Sequence, residues 1–142
     1  MYRILLMACL VLPAFGEIPS SVMAEPNLEK RSDLALKEAE NELTAATNVY
    51  AGASELKAFE THIEAVGSLA QFSLKSLRDS GKRANKSPKY FKRAELKLRS
   101  LLRRLDNLQR EVSGEDRPAV EKTKTLVSTV HDQILSDIMS KR

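Results

Sequence analysis

The chain has 142 residues, 42% hydrophobic and 30% charged, and 23 Lys and Arg against 19 Asp and Glu give a net charge of +4. That is enough for one domain with a packed core, and the balance excludes a disordered chain. Aromatics are scarce at 5%, tryptophan is absent, and the five glycines and five prolines fall mostly between periodic runs. This disfavours a many-turned β fold and points to helices.

Residues 1–24 read as a secretory signal peptide. Met1-Tyr2-Arg3 is a short positive start, and Ile4 to Phe15 is an apolar run too short to span a bilayer as a helix. A polar stretch then closes on Val22-Met23-Ala24, with small side chains where a signal peptidase reads them, so the expected cut is after Ala24. Ala14-Phe15-Gly16 offers a second, weaker cut. The chain is then exported, periplasmic or extracellular, with no transmembrane helix once the leader is gone. Cys9 is the one cysteine. Leu6-Met7-Ala8-Cys9 has the look of a lipobox, but too few apolar residues precede it. A mature chain over 25–142 has no thiol and is held by its core alone.

Four helical runs follow, at about 27–51, 54–80, 88–113 and 117–140. In the first, Leu28, Ala35, Leu36, Ala39, Leu43, Ala46 and Tyr50 trace one face, and Gly52 breaks the run. In the second, Ser54 is the expected cap. Leu56, Phe59, Ile63, Val66, Ala70, Leu74 and Leu77 form the face, and Gly81 is the expected left-handed stop. Gly67, inside this run, costs up to about 1 kcal/mol against alanine and marks a close helix contact. In the third, Ser87 is the expected cap with Pro88 in the first turn. Phe91, Ala94, Leu98, Leu101, Leu105, Leu108 and Val112 keep a clean coiled-coil-like heptad up to the stop at Gly114. In the fourth, Asp116 is the expected cap, and Val120, Thr123, Val127, Val130, Ile134 and Ile138 carry the face.

Runs of this length with short connections predict an all-α, up-down four-helix bundle over a single domain at 25–142. Two tetratricopeptide-like helical hairpins are the minority reading. Ala58 and Ala65 fit that repeat's small-residue spacing, but its tryptophan, its closing proline and a 34-residue period are missing.

The positive charge is concentrated. Residues 81–110 hold eleven Lys or Arg and two acids, net +9, while residues 25–80 are net −4 and residues 111–142 net −1. On the third run Lys89, Lys92, Arg93, Arg99, Arg103 and Arg110 lie opposite the apolar seam. Lys97 and Arg104 flank it, and Lys82, Arg83 and Lys86 extend the patch into the preceding loop. Such a face raises the local concentration of a polyanion and responds to salt. It is also compatible with a merely solvated face, balanced by Glu38, Glu40 and Glu42 on a neighbouring helix.

The stretch "SPKYFKRAELKLRSLLRRLDNL" resembles a group of small exported all-helical bacterial proteins, acidobacteria-like in origin, of unknown function. The likeness is close over 87–108 and loose over 34–139. It implies export and an all-helical fold, and it carries no active site.

Catalytic chemistry is not expected. The sequence holds no Gly-x-Ser-x-Gly elbow, no glycine-rich phosphate loop and no Cys-x-x-Cys-His. His62, between Glu60 and Glu64, and His131, before Asp132, match no metal-binding spacing, so neither a metal nor another cofactor is expected. Glu38 and Glu42 share a helix face while Glu40 points elsewhere, a surface feature. The expected function is therefore a non-enzymatic, exported interaction module. It binds a protein partner or an anionic envelope component through Lys86, Lys89, Lys92, Arg93, Arg99 and Arg103, with Tyr90 as a rim anchor. Nucleic acid is disfavoured, since only Tyr90 could stack on a base. The alternative is a periplasmic holdase-type chaperone using Leu96 and Leu102, which lie off the seam. These two could instead seal a larger core or form a homodimer contact.

Overall fold

The computed structural model describes residues 18–52 and 56–140. Among them are the short α1 (Ser20–Met23) and four long helices, α2 (Leu28–Ala51), α3 (Leu56–Asp79), α4 (Pro88–Glu111) and α5 (Arg117–Met139), with no strand. The all-helical architecture expected from the periodicity is present, and the four long elements fall close to the expected bounds.

The helix ends show how local chemistry sets those bounds. Asn27 caps α2, its Oδ1 accepting the Lys30 N–H at 3.0 Å. Gly52 closes α2 with its N–H on the carbonyls of Asn48 and Tyr50. The cap expected at Ser54 lies outside the described residues. Beyond α3, Gly81 adopts φ 71°, the left-handed conformation that glycine takes at little cost. Two expected caps are corrected. Ser87 and Asp116 hold the N-cap positions of α4 and α5 but make no side-chain cap hydrogen bond. The Ser87 hydroxyl donates to Glu29 Oε2 at 2.6 Å, and Asp116 Oδ2 accepts from the Ser113 hydroxyl at 2.9 Å. A tertiary partner thus takes the Ser87 side chain from its own helix. α4 ends at Glu111 ahead of Gly114, because Val112 turns extended and buries its side chain.

All seven seam residues are buried in the core: Phe91, Ala94, Leu98, Leu101, Leu105 and Leu108 of α4, and Val112 just beyond its end. Phe59, Ile63, Val66, Ala70, Leu74 and Leu77 of α3 are buried with them, whereas Leu56, in its first turn, is 47% exposed. On α5, Val120, Thr123, Val127, Val130 and Ile134 are buried and Ile138 is partly so. The alanine stripe of α2 (Ala35, Ala39, Ala46) lets α3 come close, and Ser32 and Ser73 meet across that contact at 2.7 Å. At Gly67 an added Cβ would stand 3.1 Å from Leu126 Cδ1, so α3 and α5 approach closely there.

The chain direction alternates from α2 to α5, and the helices pack as two stacked hairpins. α2 lies against α3 and α4, and α5 lies against α4 and α3. α3 and α4 barely touch, and α2 and α5 have no contact, so the connection at 80–87 crosses a diagonal. Cross-links show that the stacked partners run parallel. Arg93 of α4 meets Asp33 of α2 near their starts, and Ser113 beyond α4 donates its N–H to Tyr50 Oη of α2 near their ends. Arg78 and Asp137 likewise pair the ends of α3 and α5.

The packed body begins upstream of the boundary expected at residue 24. Val22 in α1 is 1% exposed, and Ile18 packs against the same core.

Candidate functional site

α4 presents three strips outside its apolar seam, because side chains three and four residues apart share a face. The strip facing α2 carries Arg93, Lys97 and Arg104. Asp33 of α2 receives two of them: Arg93 as a fork, at 3.2 Å from Nε and 2.8 Å from Nη2, and Lys97 at 3.1 Å. Arg104 reaches the Glu40 carbonyl at 3.4 Å and the Thr44 hydroxyl at 2.9 Å. Asp33, rather than Glu38, Glu40 or Glu42, is the carboxylate that balances this side. The Glu42 carboxylate turns to His62 of α3.

The strip facing α5 carries the acids Glu95 and Asp106. Glu95 is buried and is bonded by Arg99, one turn on, and by His131 Nε2 of α5 at 3.1 Å. Burial pushes the Glu95 carboxyl up, but the hydrogen bonds from Arg99 and His131, with their charges, outweigh it and hold the group below the ordinary carboxylate range. Asp106 meets Lys124 and Arg110, each at 2.8 Å. The Lys124 hydrogen bond is the main reason its carboxyl is also lowered. At the start of α4, Glu29 of α2 is buried beneath Lys82 and Ser87, whose hydrogen bonds lower it too.

The outward strip contains Lys89, Lys92, Leu96, Ser100, Arg103 and Asn107, with Lys86 just before the helix. All are exposed, and Leu96 is 57% so. Among the described residues, Lys86, Lys92 and Arg103 have no ion-pair partner, and Lys89 has only its Nζ 5.4 Å above the Tyr90 ring. Arg83, in the connection, is also exposed and without an ionic partner among them.

The seven residues singled out from the sequence therefore separate. Lys86, Lys89, Lys92 and Arg103 stand together on the outward strip. Arg93 and Arg99 are exposed but committed to Asp33 and Glu95. Tyr90 is half-buried and packs against the core, with the Lys89 ammonium over its ring. Leu102 packs against the core as well, so of the two off-seam leucines only Leu96 faces water. Glu95, Asp33 and Asp106 were not singled out. Glu95 and Arg99 carry the four-residue spacing of a helix pair, but their partners across helices leave no mark in the sequence.

A cleft of about 410 Å³ beside the 80–87 connection is lined by Arg78, Lys82, Arg83, Phe91 and Asp137. Two of its cations are already engaged, Arg78 with Asp137 and Lys82 with Glu29. Among the described residues no group of three or more His, Cys, Asp or Glu could hold a metal ion, and no helix is long and apolar enough to cross a membrane.

Comparison of the chain with family models, with curated proteins and with solved structures finds no match in any of the three.

Proposed function

We propose that this protein is a non-enzymatic, exported helical module that binds an anionic surface of the cell envelope through the outward strip of α4. One observation carries the reading: the cations on both flanks of α4 are engaged, Arg93 and Lys97 by Asp33, Arg99 by Glu95, Arg110 by Asp106 and Arg104 by a carbonyl and a hydroxyl of α2, whereas Lys86 just before the helix and Lys89, Lys92 and Arg103 along its outward strip have no carboxylate partner among the described residues. A structural helix needs no such row, since exposed like charges spaced along one face repel and add nothing to stability. A row along a straight helix suits an extended polyanion or a layer of headgroups, and the exposed Leu96 within it can enter the apolar boundary beneath such groups. Export is supported by the charged-then-apolar start of the chain and by the resemblance to small exported helical proteins.

Each Lys or Arg brought near an anionic bilayer contributes about 1 kcal/mol, so four are worth about a thousandfold in affinity. The test is co-sedimentation with vesicles of mixed anionic and neutral lipid. Changing Lys86, Lys89, Lys92 and Arg103 together to glutamine leaves the fold intact and abolishes binding. Changing Arg93 and Arg99 instead weakens binding little. Binding of the fourfold variant equal to the native chain's at low salt overturns the reading.

A holdase-type chaperone is the second reading, favoured by the exposure of Leu96. It expects Leu96→Ser to lose suppression of client aggregation in vitro. No suppression by the native chain removes it.

A further inference from the structure

The leader and the folded body overlap if the leader ends at Ala24. Residues 20–24 make one helical turn, with the Val22 and Met23 N–H groups on the Pro19 carbonyl at 3.0 and 3.1 Å and the Ala24 N–H on the Ser20 carbonyl at 2.9 Å. That turn is docked. Val22 is 1% exposed inside the one core cluster, Ile18 packs beside it, and α1 lies on α2. Arg31 fastens the chain just downstream, its Nε donating to the Glu25 carbonyl at 2.8 Å. A cut after Ala24 would discard Ile18 and Val22 and uncover the core they close. Leader peptides are discarded, so their residues have no reason to complete a core.

The sequence offers another bond. After the apolar residues 4–12, Pro13 introduces Ala14-Phe15-Gly16, with small side chains at the third and first positions before Glu17. Resting on the export reading above, we infer that the leader is removed at the Gly16–Glu17 bond and that residues 17–24 stay with the mature protein. A leader endopeptidase adds water across this amide, Gly16 keeping the new carboxylate and Glu17 the new amine. The released piece also carries Cys9, so the mature chain is thiol-free either way.

The experiment expresses the full chain in an export-competent bacterium and determines the amino terminus and intact mass of the exported protein. A start at Glu17 is expected. A start at Glu25 overturns this inference and leaves export standing, whereas an intracellular chain retaining residues 1–16 overturns export and this inference with it. Two full-length variants sharpen the result. Gly16→Leu, with a bulky group at the scissile position, blocks processing. Ala24→Leu, at an exposed position, is processed like the native chain. The converse pattern places the cut after Ala24. Val22→Ala in the full chain lowers the Tm of the exported protein by roughly 5 °C, as a core residue does, and an unchanged Tm contradicts the docking on which the inference stands.

Discussion

The two hairpins solve the same packing problem differently. α2 and α3 come together over alanines, with Ala35, Ala39 and Ala46 fully buried and the Ser32 and Ser73 hydroxyls bonded across the contact. α4 and α5 pack together with larger residues buried in the core, Leu98, Leu101 and Leu105 on one and Val127, Val130 and Ile134 on the other, and add charged links through Glu95 to His131 and Asp106 to Lys124. The first hairpin therefore depends on how small its contact residues are. The second depends on bulk and on the protonation of its carboxylates.

Truncation separates them most strongly. Leu105→Ala in α4 leaves a cavity and should cost roughly 2–5 kcal/mol, read from chemical denaturation. Enlargement attacks the other hairpin: Ala39→Leu should cost about 1–3 kcal/mol, because α3 has to move away. If the leucine is tolerated without loss, the first hairpin is not limited by close approach.

The charged links come next. Glu95→Ala leaves His131 without its acceptor and frees Arg99, and should cost about 1–3 kcal/mol. The exposed Arg99 can regain water, which keeps the value below that of a fully buried pair. Because Glu29, Glu95 and Asp106 all have folded pKa values below their ordinary ones, the stability they contribute is present above the ordinary carboxylate range. It is lost as pH falls through the lowered folded values. The expected observation is a fall in Tm on acidification through and below pH 4, smaller in Glu95→Gln. Equal acid sensitivity in that variant would remove Glu95 from the account.

Two further comparisons each set one effect against another. Ser32→Ala alone strands Ser73 and should cost about 1–3 kcal/mol, whereas Ser32→Ala with Ser73→Ala together should be nearly neutral. Gly67→Ala sets the gain in helix propensity, up to about 1 kcal/mol, against a contact with the end of the half-buried Leu126 side chain. A net change within about 1 kcal/mol is expected, and a larger loss would mean that Leu126 cannot shift.

The apolar faces were legible because a helix writes its buried side into the sequence every three or four residues. From Phe91 to Val112 that pattern names core residues without error. Leu56 fits the same spacing but lies in the first turn of its helix, where no neighbour covers it. Partners separated by tens of residues were not legible. Nothing local marks Asp33 as the acceptor of Arg93 and Lys97, or His131 as the partner of Glu95. The Ser87 hydroxyl satisfied every local rule for a cap and went to a buried glutamate instead. The basic stretch was likewise visible as composition, but which of its cations remain uncommitted was decided by neighbours in space. The small residues around Val22 fit a cleavage rule in the sequence, and the burial of Val22 itself is visible only in the fold.

The parallel stacking of α2 on α4, and of α3 on α5, has an electrostatic corollary. Peptide dipoles in an alternating ring of rods would cancel between neighbours. Here the amino ends of α2 and α4 sit side by side, opposite the carboxyl ends of α3 and α5. The end face holding residues 80–87 is thereby divided into a positive half and a negative half, each end worth about half an elementary charge. The positive half adjoins Lys86 and Lys89, so backbone and side chains tilt the molecular field in the same sense.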